Sequence, residues 1–171
     1  MGVFFEKKIV FLRKMWQQKM LMYYCMMIRQ TLPIEFIAIE PGNFHLFLKV
    51  KIARKNARLL LDTGASKTAF DSHQIEKFIA KSKLIANEIH SVGLGSNQMK
   101  TALCKLSSIH FGSIAIKKAE VAVLDLSHVN AAYQHLGFAG IDGVLGSDFL
   151  HLINAEISYP KKSLKLNNKS L

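Results

Sequence analysis

Leu59-Leu60-Leu61-Asp62-Thr63-Gly64-Ala65-Ser66 is the stretch on which the fold turns. Three leucines in succession read as a buried strand, and the next residue is a carboxylate. An isolated ionised carboxylate is costly to bury without compensation, so an Asp in this place needs a reason. Gly64 lets the backbone turn tightly and approach another group, and Thr63 and Ser66 offer hydroxyls that can orient a carboxylate or brace a loop. Taken alone, Asp-Thr-Gly is also ordinary turn sequence, with Asp62 as a turn or cap residue, and the tripeptide leaves both readings open.

Outward from this point the chain is made of short β-rich runs separated by turns. Residues 44–52 alternate well enough for a strand, 53–56 suit a turn, and 57–61 return as an apolar strand that ends at Asp62. Within 71–86, Ile75, Phe78 and Ile79 have the spacing of a short helix. Residues 88–100 surround Gly93-Leu94-Gly95 as a second hairpin would, and 108–111 and 114–124 form another pair joined at Gly112-Ser113. A final hairpin is expected from 155–159 and 163–166 around Pro160-Lys161-Lys162. No repeat of fixed period is visible.

A second informative stretch follows in Ile141-Asp142-Gly143-Val144-Leu145-Gly146-Ser147-Asp148-Phe149-Leu150. With its apolar strand running into Asp-Thr-Gly-Ala-Ser, the first stretch resembles the retropepsin-like aspartic proteases. The second is similar to the apolar-apolar-glycine element, followed by a short helix, that closes the active-site core of that family. The resemblance extends over residues 44–166 and implies a mainly β, single-lobe acid protease fold with one or two short helices, active as a symmetric homodimer. It implies a catalytic Asp62 supported by Thr63, Gly64, Ala65 and Ser66, a substrate-covering flap at Gly93, Leu94 and Gly95, and core support from Gly143, Leu145, Gly146 and Asp148. The flap lacks an aromatic residue near its tip, and Ser66 stands where many viral members have Asp.

Aspartic protease chemistry uses two carboxylates that share one proton, because like charges about 3 Å apart cannot both ionise. Only one Asp-Thr-Gly is present; Asp142 reads as a turn residue and Asp148 as a helix-start or bracing carboxylate. The second catalytic Asp is therefore expected from Asp62 of another copy, acting on a peptide or unfolded protein segment held by strand-like backbone bonds. No cofactor and no metal are expected. The alternative is a catalytically silent retropepsin-like module for peptide binding or dimerisation, since a fold can persist without its activity.

The chain of 171 residues, half of them apolar and a fifth charged, suits one globular domain and excludes collagenous or low-complexity classes. Lys and Arg exceed Asp and Glu by 23 to 12, a balance that favours anionic partners. Lys49, Lys51, Arg54, Lys55 and Arg58 cluster on one hairpin, but no nucleic-acid motif accompanies them, and they read as a solvated sheet edge rather than a specific nucleic-acid site. Residues 1–30 form a basic, Met-rich leader that holds six of the seven methionines; residues 31–171 form the protease-like domain. The leader's longest uncharged run, 20–28, is far short of the about 20 apolar residues that span a bilayer, and its charges interrupt any secretory-signal pattern. Cys25 and Cys104 match neither a disulfide framework nor a zinc spacing. These features favour the cytoplasm over export, with membrane contact through residues 1–30 left open.

Overall fold

Along β3 (Asn43–Ile52) Leu48, Val50 and Ile52 are buried while Lys49 and Lys51 are exposed, the period of two that gives a strand one wet face. The computed structural model describes residues 27–79, 84–91 and 99–169. β3 lies between β2 (Glu35–Glu40) and β4 (Lys55–Leu61), antiparallel to both. Beyond β4 come β5 (Ala69–Asp71), β6 (Leu84–Ser91), β7 (Met99–Phe111), β8 (Ile114–Leu124) and the short β9 (Gly143–Leu145). These strands make one sheet in the order β2-β3-β4-β9-β5-β8-β7-β6, and a further β3–β7 pairing curls it on itself. A smaller sheet joins β1 (Met27–Pro33), β11 (Ser163–Lys169) and β10 (Ala155–Ser158), with β11 central. β1 takes in Met27 to Gln30, which composition sets apart with the leader, and the Gln30 side chain accepts bonds from the amide and hydroxyl of Ser113 at the β7–β8 turn.

The chain does not leave β9 at an edge. It enters between β4, to which it runs parallel, and β5, to which it is antiparallel, so β4 and β5 are neighbours in sequence but not in the sheet. The connection between them, residues 62–68, must therefore pass over the end of β9. Helix α1 (Ser127–His135) links β8 to β9, and helix α2 (Ser147–Leu152) follows β9 directly. The main core gathers Leu48, Leu59, Phe70, Phe111, Leu145 and Leu164, and a second cluster of Phe47, Leu126, Tyr133 and Ile141 lies beneath α1.

α1 is pinned by a buried carboxylate. Asp71 is 1% exposed; its Oδ1 accepts the Leu126 amide at 3.3 Å and its Oδ2 accepts Asn130 Nδ2 at 3.0 Å. Asn130 in turn exchanges bonds with Ile141 N and O, which ties the helix to the approach to β9. Sharing the charge among donors is what makes such a burial tolerable.

The mainly β reading, the strands around residues 44–61, the β7–β8 pair and the terminal hairpin are all present. Three expectations are corrected. Among the described residues of 71–86 the helix expected there is a single 3-10 turn at Ile75–Lys77, from which Ile75 and Phe78 reach the core, and β6 begins at Leu84. The lysine-rich hairpin does not guard a sheet edge: β3 and β4 are interior strands, and the edges are β2 and β6. Of its cations, Arg58 is drawn inward, bonded to Glu35 and to the Ala139 and Gly140 carbonyls, with its guanidinium 3.8 Å from the Phe47 ring centroid. Finally, the turn occupies Ala53 and Arg54 alone, both left-handed with φ of 48° and 68°.

Two positive φ values in a two-residue hairpin turn match the twist of the flanking strands but suit Asn-Gly far better than Ala-Arg. The double change Ala53→Asn with Arg54→Gly is expected to raise stability by about 1 kcal/mol, read as a higher urea midpoint at unchanged slope.

Candidate active site

Asp62 stands where β4 ends and the crossing connection begins. Its amide donates to Leu145 O at 3.1 Å, which extends the β4–β9 ladder by one bond. Its carboxylate is exposed, but Oδ1 is fixed: it accepts the Gly64 amide at 2.8 Å and the Ala65 amide at 3.2 Å. A Cβ on residue 64 would come within 3.2 Å of that same oxygen, so glycine lets the loop fold back this closely. Oδ2 accepts no hydrogen bond from the described residues. Two amides on one oxygen orient the carboxylate and leave the other oxygen available for chemistry.

The rest of the connection is bolted to the segment that follows β9. Ser147 donates both its amide, at 2.8 Å, and its hydroxyl, at 3.0 Å, to Ala65 O. Asp148 Oδ1 accepts the Thr68 amide at 2.9 Å and the Thr68 hydroxyl at 2.7 Å, and Thr68 Oγ1 accepts the Gly146 amide at 3.0 Å. Thr68 is wholly buried. The approach is backbone to backbone: a Cβ at Gly146 would lie 2.7 Å from Lys67 C, and one at Gly143 2.3 Å from Ala69 O. Neither position has room for a side chain.

Of the residues singled out in the sequence, Asp62, Gly64, Ala65, Leu145, Gly146 and Asp148 thus come together around one loop, with Gly143 at the β9–β5 contact. Thr63 and Ser66 are exposed on the same loop. Gly93, Leu94 and Gly95 lie outside the described residues; β6 and β7 pair antiparallel up to Ser91 and Met99 on either side of them. Asp142 is more than a turn residue, since its Oδ2 accepts the Arg58 amide at 2.8 Å and its Oδ1 the Lys77 ammonium at 3.2 Å.

Sequence reasoning missed Thr68, the residue that joins the two halves of the loop, and α1. The helix was legible: Leu126, Val129, Asn130 and Tyr133 recur at helical spacing and face the sheet. Just before it Asp125 accepts the Ser127 amide at 2.9 Å and also the Ser127 hydroxyl, bonds that hold its carboxyl below the usual range. On its buried side Tyr133 Oη shares a 2.7 Å hydrogen bond with His45 Nδ1, and burial pushes the phenol above its ordinary value. Among the described residues Asp71, His73 and Asp125 place donor atoms within 4.8 Å of one another, though the Asp71 oxygens already serve the α1 junction. Among the same residues no helix is long and apolar enough to cross a membrane.

A sequence profile described as Aspartyl protease matches residues 48–149, a span that takes in Asp62, the crossing connection and β9 through α2. The chain belongs to the aspartyl protease family. No curated protein matches it. Its fold is similar to a retropepsin-like aspartic protease from Rickettsia conorii at 18% identity, covering 82% of this chain and 91% of that one with a TM-score of 0.51. It is similar also to the retroviral protease-like domain of Ddi1 from Leishmania major, at 14% identity, 72% and 89% coverage and a TM-score of 0.51. EIAV protease, solved with the inhibitor HBY-793, is a third, at 18% identity, 71% and 99% coverage and a TM-score of 0.50. This aspartyl protease family chain therefore has the retropepsin-like fold.

The lock around Thr68 makes a measurable demand. Asp148→Ala leaves the buried Thr68 amide and hydroxyl without their acceptor and is expected to cost about 1–3 kcal/mol in denaturant unfolding. Asp148→Asn keeps an acceptor oxygen at Oδ1 and is expected to cost less than half as much as the alanine.

Proposed function

We propose that the protein is an aspartic endopeptidase whose catalytic carboxylate is Asp62, acting as a symmetric homodimer. The observation that carries the reading is the Asp62 carboxylate itself: exposed at a strand end, one oxygen fixed by two loop amides and the other without a hydrogen bond from the described residues. A lone carboxylate of this kind cannot supply acid and base together. A second copy related by a twofold axis through the 62–68 connection would bring its own Asp62 alongside, and the two would share one proton.

In that pair the ionised carboxylate takes a proton from a water as its oxygen bonds to the scissile carbonyl carbon. The protonated one gives its proton to the carbonyl oxygen. The resulting gem-diol then collapses, its C–N bond breaks, and the amine leaves with a proton. Thr63, Gly64, Ala65 and Ser66 hold the loop on which each Asp62 rides; Gly143, Leu145, Gly146 and Asp148 hold that loop to the core. Gly93, Leu94 and Gly95 are assigned to a flap over an extended peptide or unfolded segment, which strand-like backbone bonds would grip. Residues 1–30 are assigned to a leader and 31–171 to the protease domain, with β1 reaching back to Met27.

Cleavage of an unstructured peptide library between about pH 3 and 7 tests the reading, because a proton-sharing carboxylate pair works in that range. Wild type is expected to cut, and Asp62→Asn to fall by at least about three orders of magnitude while remaining folded and dimeric by circular dichroism and sedimentation. Peptide binding without cleavage by a folded wild-type dimer would overturn catalysis in favour of a silent peptide-binding module.

A further inference from the structure

β3 and β4 are interior strands, so their lysines protect no edge. Phe47, Lys49 and Lys51 are two apart along β3 and share one face of the sheet. α1 covers that face over Phe47, and beyond it Lys49 and Lys51 are exposed. The register carries the same face across the curled sheet: Lys51 stands opposite Asn56 on β4 and His110 on β7, and Ser108, bonded to His110 at 2.9 Å, stands opposite Lys117 on β8. Lys117 is exposed, and Arg54 and Lys55 extend the positive charge to the hairpin turn.

Cations gathered in this way repel one another, and like charges set opposite across strands, as Lys49 is to Arg58, are destabilising. The acids near the face do not relieve the lysines. Glu35, Asp142 and Glu120 are engaged by Arg58, Lys77 and Lys67, while Lys49, Lys51 and Lys117 form no ion pair with a described residue. The large apolar side chains left exposed among the described residues, Phe44, Leu136, Leu152 and Tyr159, all stand outside the open part of this face. Such a surface fits a partner that brings negative charge and no apolar anchor.

We infer that this face is a docking surface for the phosphate backbone of duplex nucleic acid, bound without regard to base sequence. Its cations ride on paired strands, so a rigid polyanion with a charge every 1.7 Å or so, about the value for duplex DNA, meets several of them at once. A flexible acidic peptide loses chain freedom for each such contact. Among the described residues no exposed Phe, Tyr or Trp lies on the face to stack on an unpaired base, and no helix on it is placed to enter a groove, so the contact is with phosphates alone. A bilayer of acidic lipids, held firmly only when apolar side chains also enter it, is the poorer fit. The face is also remote from the candidate catalytic loop: Asn56, opposite Lys51, precedes Asp62 by about 20 Å along β4. Docking here therefore does not depend on the chemistry of Asp62.

The test uses the full-length protein and fluorescent duplex DNA of about 20 base pairs in two unrelated sequences, with anisotropy read at several salt concentrations. Wild type is expected to bind both sequences within about twofold of each other and to weaken steadily as salt rises. Lys49→Gln with Lys51→Gln is expected to weaken binding at about 50 mM salt by at least about tenfold and to lower the slope of log K against log salt by about 2. Adding Lys117→Gln lowers that slope by about 1 more. The control, Lys161→Gln with Lys162→Gln at the exposed terminal turn, removes the same net charge and is expected to move the affinity by less than about threefold. All variants are expected to stay folded by circular dichroism. Equal losses from both pairs would assign the attraction to net charge or to residues 1–30 and overturn the inference. So would no binding at low salt, a preference for one sequence above about tenfold, or tighter lysine-dependent binding to phosphatidylserine vesicles than to DNA.

Discussion

Everything at the candidate site depends on one hydroxyl. Thr68 Oγ1 donates to Asp148 and accepts from the Gly146 amide, so a single buried atom joins the connection after β4 to the segment after β9. The two segments are far apart in sequence, and each taken alone is an irregular loop of the kind that frays. Bonded together out of water they become one rigid piece, in which the Thr68 amide and the Ser147 donors have nowhere else to go. Asp62 adds a bond to Leu145 and two within its own loop. It is presented at the surface by a frame that Thr68 and Asp148 hold from below.

The frame also requires that β9 lie between β4 and β5. A strand inserted there forces the β4–β5 connection over its end, and the connection can come down onto β9 only if no side chain intervenes. Gly143 and Gly146 meet that demand at contacts shorter than any Cβ allows. The glycines, the threonine and the aspartate thus answer one geometric problem: two backbones must cross at van der Waals distance while every amide beneath the crossing stays bonded. The Asp62 carboxylate is then oriented by the amides of its own loop, with no anchoring side chain among the described residues.

How much of this can be read from the chain follows from the range of the interactions. The strands around residues 44–61, the β7–β8 pair and the terminal hairpin rest on alternation and turn residues within a few positions of one another, and sequence carries such signals directly. The two glycine-bearing stretches were legible through family resemblance, but not the reason for their glycines, which exists only where Ala69 and Lys67 come close. Thr68 gave no local sign, since its partners are Gly146 and Asp148. Residues 71–86 misled because Ile75, Phe78 and Ile79 satisfy one turn of helix as well as four, and only the core beneath decides how far the turn continues. The lysines of β3 and β4 looked like edge protection because charge on a strand is the same whether its neighbour is water or another strand.

α1 shows the same division between local and distant signals. Its helical spacing lies in the sequence, yet its place comes from the Asp71–Asn130 bonds that fix the helix across from β3. The buried Asp71 carboxylate is an expensive way to hold a short helix on a sheet. A helix needed only to cover Phe47 could have been held by apolar contacts alone, which tolerate sliding and rotation. Hydrogen bonds from Leu126 and Asn130 to one carboxylate do not tolerate either, and they set the helix at a fixed angle with Tyr133 against His45. That directional hold fixes the helix over β3 instead of letting it slide across the sheet.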